Sequence, residues 1–226
     1  MTSPPRVAVM LSGEGTNFAA IADYAARMGT FTVCHVISDR ADAGGLIKAR
    51  ERGIDASLLT RAAGATRSEH EQIIAERLRS VAPDTIALAG YMRILGPTLV
   101  RAWQGRMLNV HPSLLPKYRG LHTYRRALED GAAEHGASVH YVTEELDGGP
   151  VIAQARTAIA PDDTEATLRN KVQTMEYELF PRVIEAVCLG HVHFRAGHDE
   201  HNSDVLWRGH PLSQPLDVAH LREHAA

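Results

Sequence analysis

Short apolar runs alternate along the first half of the chain with segments in which apolar residues recur every three or four positions. Runs of this length predict strands, and the wider spacing predicts amphipathic helices. Five strands are predicted, over residues 7–11, 31–37, 56–59, 83–90 and 107–111. Strands that alternate with helices favour the α/β class, so we expect an open, mostly parallel twisted sheet with helices on both faces.

One helix start is marked by its capping residues. Thr66 and Glu69 have the spacing of a capping box, in which each residue binds a free backbone N–H of the first turn. Ile74, Leu78 and Val81 follow at helical spacing and predict the buried face.

The longest predicted helix begins after Thr164, a residue type that favours the N-cap position, and its apolar stripe continues to Val187. Pro181 lies inside this segment and is predicted to kink or interrupt the helix, because proline lacks the N–H of a helical hydrogen bond. Gln173 and Glu176 are three apart and share a face beside the stripe. A solvated polar pair is one interpretation of that spacing.

The segment 107–120 carries the clearest chemical signal. Its apolar start predicts a strand that ends near His111, because Pro112 has no N–H for a sheet ladder. Side chains alternate along a strand, so Asn109 and His111 point to the same face. An amide donor and an imidazole at a strand end can stabilise an oxyanion and move a proton. Taken alone, the two residues are equally typical of a turn that closes an ordinary strand.

A second polar stretch, 138–152, predicts a strand, an acidic turn with two glycines and a second strand. Asp147 lies in this turn, where its carboxylate can be directed rather than packed. An aspartate near a histidine holds the ring and favours its protonated form. Asn109, His111 and Asp147 are therefore the candidate catalytic residues.

The run Ser12-Gly-Glu-Gly-Thr-Asn17 joins the first strand to a helical pattern. Glycines let the backbone approach an anion, and a helix start presents free N–H groups with a favourable dipole. A dinucleotide fingerprint would need a third glycine where Phe18 stands, so a mononucleotide phosphate is favoured. A plain tight turn is the alternative, because glycine turns are common between strands and helices.

Length and charge limit the function classes. The 226 residues with 44% hydrophobic content suffice for one sizeable core. We expect one domain over residues 1–226, with a core of about 6–195 and a polar tail over 196–226 that is loosely ordered from about His198. A net charge of −3 gives no reason to expect nucleic acid as a partner.

Cys34 and Cys188 lie in apolar runs, which favours buried, reduced thiols in a cytoplasmic protein. No apolar run is long enough to span a bilayer, so no membrane partner is expected. Histidines and acidic residues near the C-terminus raise the alternative of a metal site, but their spacing fits no standard ligand motif and no metal is expected. These residues are His191, His193, His198, Asp199, Glu200 and His201.

Together these motifs resemble the formyl-folate-dependent formyltransferases. The matching segments are 12–17, 89–95, 109–118, 135–140 and 145–150, and the resemblance spans about residues 6–190. The Asn-x-His…Asp set is shared by that whole superfamily. The glycine loop near the N-terminus narrows the likeness to the members that formylate glycinamide ribonucleotide in purine synthesis.

The resemblance implies a Rossmann-like fold that acts on small molecules, as a monomer or a homodimer. The implied reaction transfers the formyl group of 10-formyltetrahydrofolate, a co-substrate, to the amine of 5'-phosphoribosylglycinamide. The amine would attack directly, through a tetrahedral intermediate stabilised by Asn109, His111 and Asp147. The resemblance also favours a cis bond at Leu115–Pro116, and it places Arg119 in a surface loop, where the family often has proline.

Two groups of binding residues are implied by the resemblance. Those for the phosphoribosylglycinamide are Gly15, Thr16, Asn17, Gln173 and Glu176. Those for the formyl folate are Arg67, Met92, Arg93, Ile94, Leu95, Asn109, Thr143, Glu144, Glu145, Leu146 and Asp147. From the pattern alone, a solvated arginine at a helix start is the favoured interpretation of Arg67, and residues 92–95 are typical of core.

Several relatives share this chemistry. A methionyl-tRNA formyltransferase usually carries a further basic C-terminal domain, and a formyltetrahydrofolate hydrolase usually carries an extra N-terminal domain. Here the matching region ends near Gly190 and the first strand begins by about Arg6. A sugar-amine formyltransferase keeps the same three catalytic residues and stays an alternative, as does a nucleotide-binding module without catalysis.

Overall fold

The structure is a computed structural model that describes residues 3–197 and 204–223. The chain forms two compact units, Met1–Leu108 and Asn109–Ala226, and the boundary falls inside the strand Met107–His111. The single domain over residues 1–226 stays a prediction.

The first unit alternates strands with helices, as the apolar pattern predicted. In chain order its elements are β1 (Arg6–Leu11), α1 (Thr16–Met28), β2 (Thr32–Ser38), α2 (Gly44–Glu51), β3 (Ala56–Leu58), α3 (Arg67–Val81), β4 (Thr85–Leu88), α4 (Pro97–Ala102) and the start of β5 (Met107–His111). Strand β1 pairs in parallel with β2 and with β4, and β2 pairs in parallel with β3. All of β4 and all but the first residue of β1 are buried, which is why both are continuous apolar runs.

The second unit begins with the end of β5. Its further elements are α5 (Thr123–Glu129), β6 (Glu134–Tyr141), β7 (Val151–Ala158), α6 (Glu165–Cys188), β8 (Val192–Arg195), β9 (Asp204–Trp207), β10 (His210–Pro211) and α7 (Val218–Glu223). Strands β6 and β7 pair antiparallel on either side of the acidic turn. The bond between Leu115 and Pro116 is cis, as expected.

Strands β1 to β7 form one sheet in the order β3-β2-β1-β4-β5-β6-β7. This mostly parallel sheet with its helices confirms the predicted α/β class. The strand order reverses at β1, which has β2 on one side and β4 on the other. In open α/β sheets, ligands bind outside the carboxyl ends of the strands at such a point. The loops that follow β1 and β4 are the glycine loop and residues 89–96, so the fold places both predicted binding segments at this switch point.

The capping box of α3 is present. Thr66 Oγ1 accepts the Glu69 N–H at 3.2 Å, and the Glu69 carboxylate accepts the Thr66 N–H at 2.7 Å. Ile74 and Leu78 are buried as predicted, whereas Val81, in the last turn, is half-buried.

The predicted interruption at Pro181 was wrong, because α6 continues from Glu165 to Cys188. A proline inside a helix costs about 3 kcal/mol. Pro181 belongs to the buried face of α6, together with Leu179, Phe180 and Val183. The apolar burial along this face offsets that cost.

The expectation of a loosely ordered tail was wrong for residues 204–223. Strand β9 pairs antiparallel with β8 and with β10. Leu216 exchanges backbone hydrogen bonds with Ile152 and Gln154 at 2.9 and 2.8 Å, which extends the sheet beyond β7. The Arg222 guanidinium donates two hydrogen bonds of 2.7 Å to Glu178. The segment folds because its few apolar side chains are buried, namely Val205, Leu216 and Leu221.

The two cysteines are not joined in a disulfide and have intermediate exposure, so the predicted burial was wrong. Cys34 lies inside β2, and Cys188 is the last residue of α6. Among residues 3–197 and 204–223, the helices lack the combination of length and apolar composition that a membrane span requires.

Candidate active site

The second unit brings the three candidate catalytic residues together. Asn109 and His111 lie at the end of β5, and Asp147 lies in the turn between β6 and β7. Asp147 Oδ2 is 3.4 Å from His111 Nδ1, and both side chains are more than nine-tenths buried. Asn109 joins them through His140, whose Nε2 is 3.1 Å from Asn109 Nδ2 and 3.8 Å from Asp147 Oδ1. Since a simple turn needs no such convergence of buried polar groups, the alternative of an ordinary strand end is not favoured.

Asp147 is held in an uncommon backbone conformation. Its φ is +49°, in the left-handed region that non-glycine residues rarely adopt. Its Oδ2 accepts the Gly120 N–H at 2.8 Å. A Cβ at Gly149 would lie 1.9 Å from the Tyr141 carbonyl oxygen, so only glycine fits there. The two glycines therefore permit the tight turn that directs the carboxylate of Asp147.

The two ring nitrogens of His111 have different roles. Nε2 donates to the Tyr118 carbonyl at 2.9 Å, and because a carbonyl only accepts, Nε2 carries the proton. Nδ1 faces Asp147 at 3.4 Å, which is longer than the roughly 2.7–3.2 Å of a close hydrogen bond. Nδ1 is thus the nitrogen that can give or take a proton at a bound substrate, while Tyr118 fixes the ring.

His140 completes the site and was missed by the sequence reasoning. Its Nδ1 lies 2.9 Å from the Tyr141 carbonyl, so Nδ1 carries the proton and Nε2 accepts from the Asn109 amide. Burial lowers the pKa of His140 to about 4, which keeps the ring neutral near pH 7. This bond fixes which way the Asn109 amide points and leaves its second N–H available.

A sequence signal for His140 existed. It stands near the end of a strand, seven residues before Asp147, in one of the motifs that carry the resemblance. What the sequence does not give is its partner, because the bond to Asn109 spans 31 residues.

Residues 118–122, which we call the strap, connect the end of the cis-proline loop to α5. Tyr118, Gly120 and His122 all have positive φ angles, from 56° to 77°. The Tyr118 ring packs against buried His135, with 5.8 Å between ring centroids. Arg119, predicted to lie in a surface loop, has a side chain that is 37% exposed, and its guanidinium pairs with Glu145 of the acidic turn.

The remaining predicted residues of the second unit lie in the acidic turn and on α6. Thr143 and Glu144 are half-buried, and Leu146 is 51% exposed. Glu176 is 5% exposed, so the interpretation of a solvated pair is wrong for it, whereas Gln173 is half-buried. Burial raises the pKa of the neighbouring Tyr124, and the charge of Glu176 raises it further.

The first unit carries the glycine loop in the geometry of an anion site. Gly15 caps α1 with φ +71°, and no side chain caps this helix start. The first N–H groups of α1, which include those of Thr16 and Asn17, therefore have no intrahelical acceptor. A Cβ at Gly15 would lie 2.5 Å from the Gly45 Cα, so the loop packs backbone to backbone on the start of α2. The Glu14 side chain is 84% exposed and lies 4.0 Å from Lys48 Nζ.

A cavity of about 260 Å³ adjoins the segment after β4 in the first unit. Predicted folate-binding residues in its lining are Arg67, Arg93, Ile94 and Leu95. Met92 is 67% exposed and Ile94 60%, so the alternative of a core segment is wrong for these two residues. Arg67 is half-exposed and donates to Glu71 at 2.8 Å. The combination of exposed apolar side chains and guanidinium groups suits a flat ring system that ends in carboxylates.

Asp39 is a second residue that the sequence reasoning missed. It is 6% exposed, and its carboxylate accepts from Ser12 Oγ and from Arg93 Nε, each at 2.6 Å. The Ser12 hydroxyl in turn accepts the Met92 N–H at 2.9 Å. The buried carboxylate of Asp39 thus fixes the Arg93 side chain. Through Ser12 it also links the start of the glycine loop to the backbone of Met92.

Among residues 3–197 and 204–223, no cluster of three or more His, Cys, Asp and Glu side chains could hold a metal ion. Four of the residues raised in the metal-site alternative, His198 to His201, lie outside the described residues.

Comparison with known proteins agrees with this geometry. A family model described as formyl transferase matches residues 5–184, which is most of the chain. The chain belongs to the formyl transferase family. The segments that carry Asn109, His111, His140 and Asp147 all lie inside the match, and much of the folded tail lies beyond it.

Within the formyl transferase family, the chain is 47% identical over 180 residues to the phosphoribosylglycinamide formyltransferase of Escherichia coli K12, covering 79% of this chain and 84% of that protein. It is 42% identical over 182 residues to the enzyme of the same name from Haemophilus influenzae, covering 80% and 85%. A human trifunctional purine biosynthetic protein is 37% identical over 188 residues, which cover 83% of this chain and 19% of that protein. The phosphoribosylglycinamide formyltransferase structure of Coxiella burnetii superposes with a TM-score of 0.87 at 39% identity, over 95% of this chain and 99% of that one.

Proposed function

We propose that this protein transfers the formyl group of 10-formyltetrahydrofolate to the amine of 5'-phosphoribosylglycinamide in de novo purine biosynthesis. The observation that carries the proposal is the convergence of half-buried Asn109 with the buried side chains of His111, His140 and Asp147 in a formyl transferase. The choice of acceptor is supported by relatives of that activity at 42–47% identity. Action in the cytoplasm, as expected from the sequence, is part of this proposal.

The reaction needs a group that stabilises developing negative charge. Attack of the neutral amine on the formyl carbon gives a tetrahedral intermediate with an oxyanion. The second N–H of the Asn109 amide, which His140 leaves available, would donate to this oxygen. Because His140 fixes the amide in advance, no reorganisation is needed during the reaction.

The reaction also needs a group that moves a proton. When His111 is protonated, its Nδ1, which lies 3.4 Å from Asp147 Oδ2, would donate to the oxyanion. When the ring is neutral, the Nδ1 lone pair would accept the proton that the attacking amine loses. The intermediate then collapses: the bond between the formyl carbon and the folate N10 breaks, and N10 takes up a proton from His111 or from a water molecule held by Asp147. The amine attacks the formyl carbon directly, so the step requires no covalent intermediate on the protein, and the hydroxyl of wholly buried Ser113 donates to the Lys117 carbonyl at 2.7 Å.

Binding of the two substrates is assigned to the remaining predicted residues. The start of α1 would hold the ribose phosphate through Gly15, Thr16 and Asn17. Gln173 and Glu176 would bind the glycinamide end, where a carboxylate suits an ammonium group. The formyl folate would lie against Met92, Ile94, Leu95 and Leu146, with its carboxylates near Arg67 and Arg93, and with polar contacts from Thr143 to Glu145.

The direct test is a formyl-transfer assay with three acceptors. Purified protein and 10-formyltetrahydrofolate are mixed with phosphoribosylglycinamide, with an amino sugar nucleotide or with water alone, and deformylation of the folate is followed. Rapid turnover with phosphoribosylglycinamide only is expected. Turnover with the amino sugar or with water would keep the chemistry and reject the acceptor, and no turnover with any acceptor would leave a binding module.

The residue roles are tested by His111→Ala and Asp147→Ala. Loss of a preorganised donor lowers kcat by about 10²–10³. We expect losses of this size in both variants, with KM for both substrates changed much less. His210→Ala, on an exposed histidine of β10, is the control. Near-normal turnover in both variants would reject the assignment.

A further inference from the structure

The strap contributes two backbone groups to the catalytic residues. The Tyr118 carbonyl accepts from His111 Nε2 at 2.9 Å, and the Gly120 N–H donates to Asp147 at 2.8 Å. Arg119, which lies between them, has its side chain on the acidic turn, where it pairs with Glu145. The two contacts that orient His111 and Asp147 thus come from the residues on either side of one anchored arginine.

The strap is also fastened from the α5 side. Arg126 Nη1 donates to the Arg119 carbonyl at 2.7 Å, and the Arg126 guanidinium lies 5.5 Å from the centre of the Tyr118 ring. Before the strap, the Ser113 hydroxyl donates to the Lys117 carbonyl. These contacts hold the strap from α5 and from the preceding loop, and the Arg119 side chain adds the contact to the acidic turn.

The backbone of the strap needs such anchoring. Tyr118 and His122 both adopt the left-handed region, at φ 56° and 60°. A non-glycine residue in this region is strained and persists only where its surroundings enforce it. Without an anchor the strap would populate other conformations, in which Tyr118 and Gly120 no longer reach His111 and Asp147.

We propose that Arg119 is a positioning residue for formyl transfer: its ion pair with Glu145 holds the strap so that Tyr118 orients His111 and Gly120 orients Asp147. This inference rests on the proposed function. It assigns a role to an arginine that stands where the resembling family often has proline. Arg119 itself need not touch either substrate.

The size of the effect of removing Arg119 follows from the solvent exposure of its ion pair with Glu145. The side chain of Arg119 is 37% exposed and that of Glu145 is 50% exposed, so solvent screens their attraction. An exposed ion pair shifts an equilibrium by about twofold to fivefold. Loss of Arg119 should therefore raise the ratio of open to closed strap by this factor and should not unfold the protein.

The first measurement is hydrogen exchange of the Gly120 amide by NMR in the substrate-free protein. Arg119→Ala should speed this exchange about twofold to fivefold, because the N–H loses Asp147 whenever the strap opens. Arg125→Ala is the matched control, since Arg125 is a half-exposed arginine that faces Glu129 at 3.9 Å on α5. In Arg125→Ala, the hydrogen-exchange rate of the Gly120 amide should equal that of the wild type.

The second measurement is kinetic. Arg119→Ala should lower kcat by no more than about twofold to fivefold, because kcat follows the closed population, with KM for phosphoribosylglycinamide unchanged. Raising the salt concentration should bring the wild type towards the variant, because salt screens exposed charges. The reversed pair Arg119→Glu with Glu145→Arg should restore the protection of Gly120, and Arg119→Lys should restore part of it.

Unchanged Gly120 exchange in Arg119→Ala would overturn the proposal, as would a fall in kcat without faster exchange. If the wild type shows no formyl transfer, the proposed function fails. The exchange of Gly120 still decides in that case whether Arg119 holds the strap.

Discussion

His140 gives the sharpest test of how the site is built. In His140→Phe the ring volume is kept, but the acceptor for the Asn109 amide and the donor to the Tyr141 carbonyl are both lost. The amide of Asn109 is then free to rotate. If the site works as described, the variant binds both substrates and turns over slowly.

The magnitude follows from the bond that is lost. A neutral hydrogen bond contributes about 0.5–1.5 kcal/mol, so loss of the His140 bond should lower the productive orientation of Asn109, and with it kcat, by about twofold to tenfold. Complete loss of an oxyanion donor lowers kcat about 10²–10³, which sets the upper limit. His140→Gln carries an amide oxygen that can accept from Asn109 and should recover part of the loss.

The assay is steady-state formyl transfer with each substrate varied in turn. The control is His35→Phe, because His35 is also buried, at 7% exposure, and bonds only Ser57 at 2.8 Å on the β2–β3 side of the first unit. This control should lose stability and keep kcat. A kcat within about twofold of the wild type in His140→Phe would show that Asn109 does not depend on His140, since even a weak hydrogen bond contributes more than that factor.

Two further predictions concern buried charge. Because the pKa of His140 is lowered to about 4 by burial, the unfolded chain binds its proton from about pH 6.5 downwards while the folded chain does not. The free energy of unfolding, measured by urea unfolding, should therefore fall by up to about 3 kcal/mol between pH 6.5 and pH 4. In His140→Phe the free energy of unfolding should fall less over the same pH range. Asp39→Asn removes the charge that holds Arg93 and should raise KM for the formyl folate about tenfold or more, with little change in kcat, since bonds to charged groups contribute about 1.5–3 kcal/mol. An unchanged KM would mean that Arg93 does not bind the folate.

Local patterns were sufficient for most of the fold. The apolar runs predicted the strands, and the Thr66–Glu69 spacing predicted the start of α3, because strand period and helix caps are set by residues a few positions apart. The same locality placed Asn109 and His111 on one face and Asp147 in a turn. Pro181 shows the limit of such reasoning, since the packing of α6 outweighed a local signal.

What the sequence by itself determined was the set of candidate catalytic residues and the strands and turns that carry them. Only the tertiary structure decided which groups they meet. The bonds of Asn109 to His140, of Gly120 to Asp147 and of Arg93 to Asp39 span 31, 27 and 54 residues. Such contacts depend on strand order, on register and on the path of the connecting loops. These are properties of the whole chain, and no local spacing of residues encodes them.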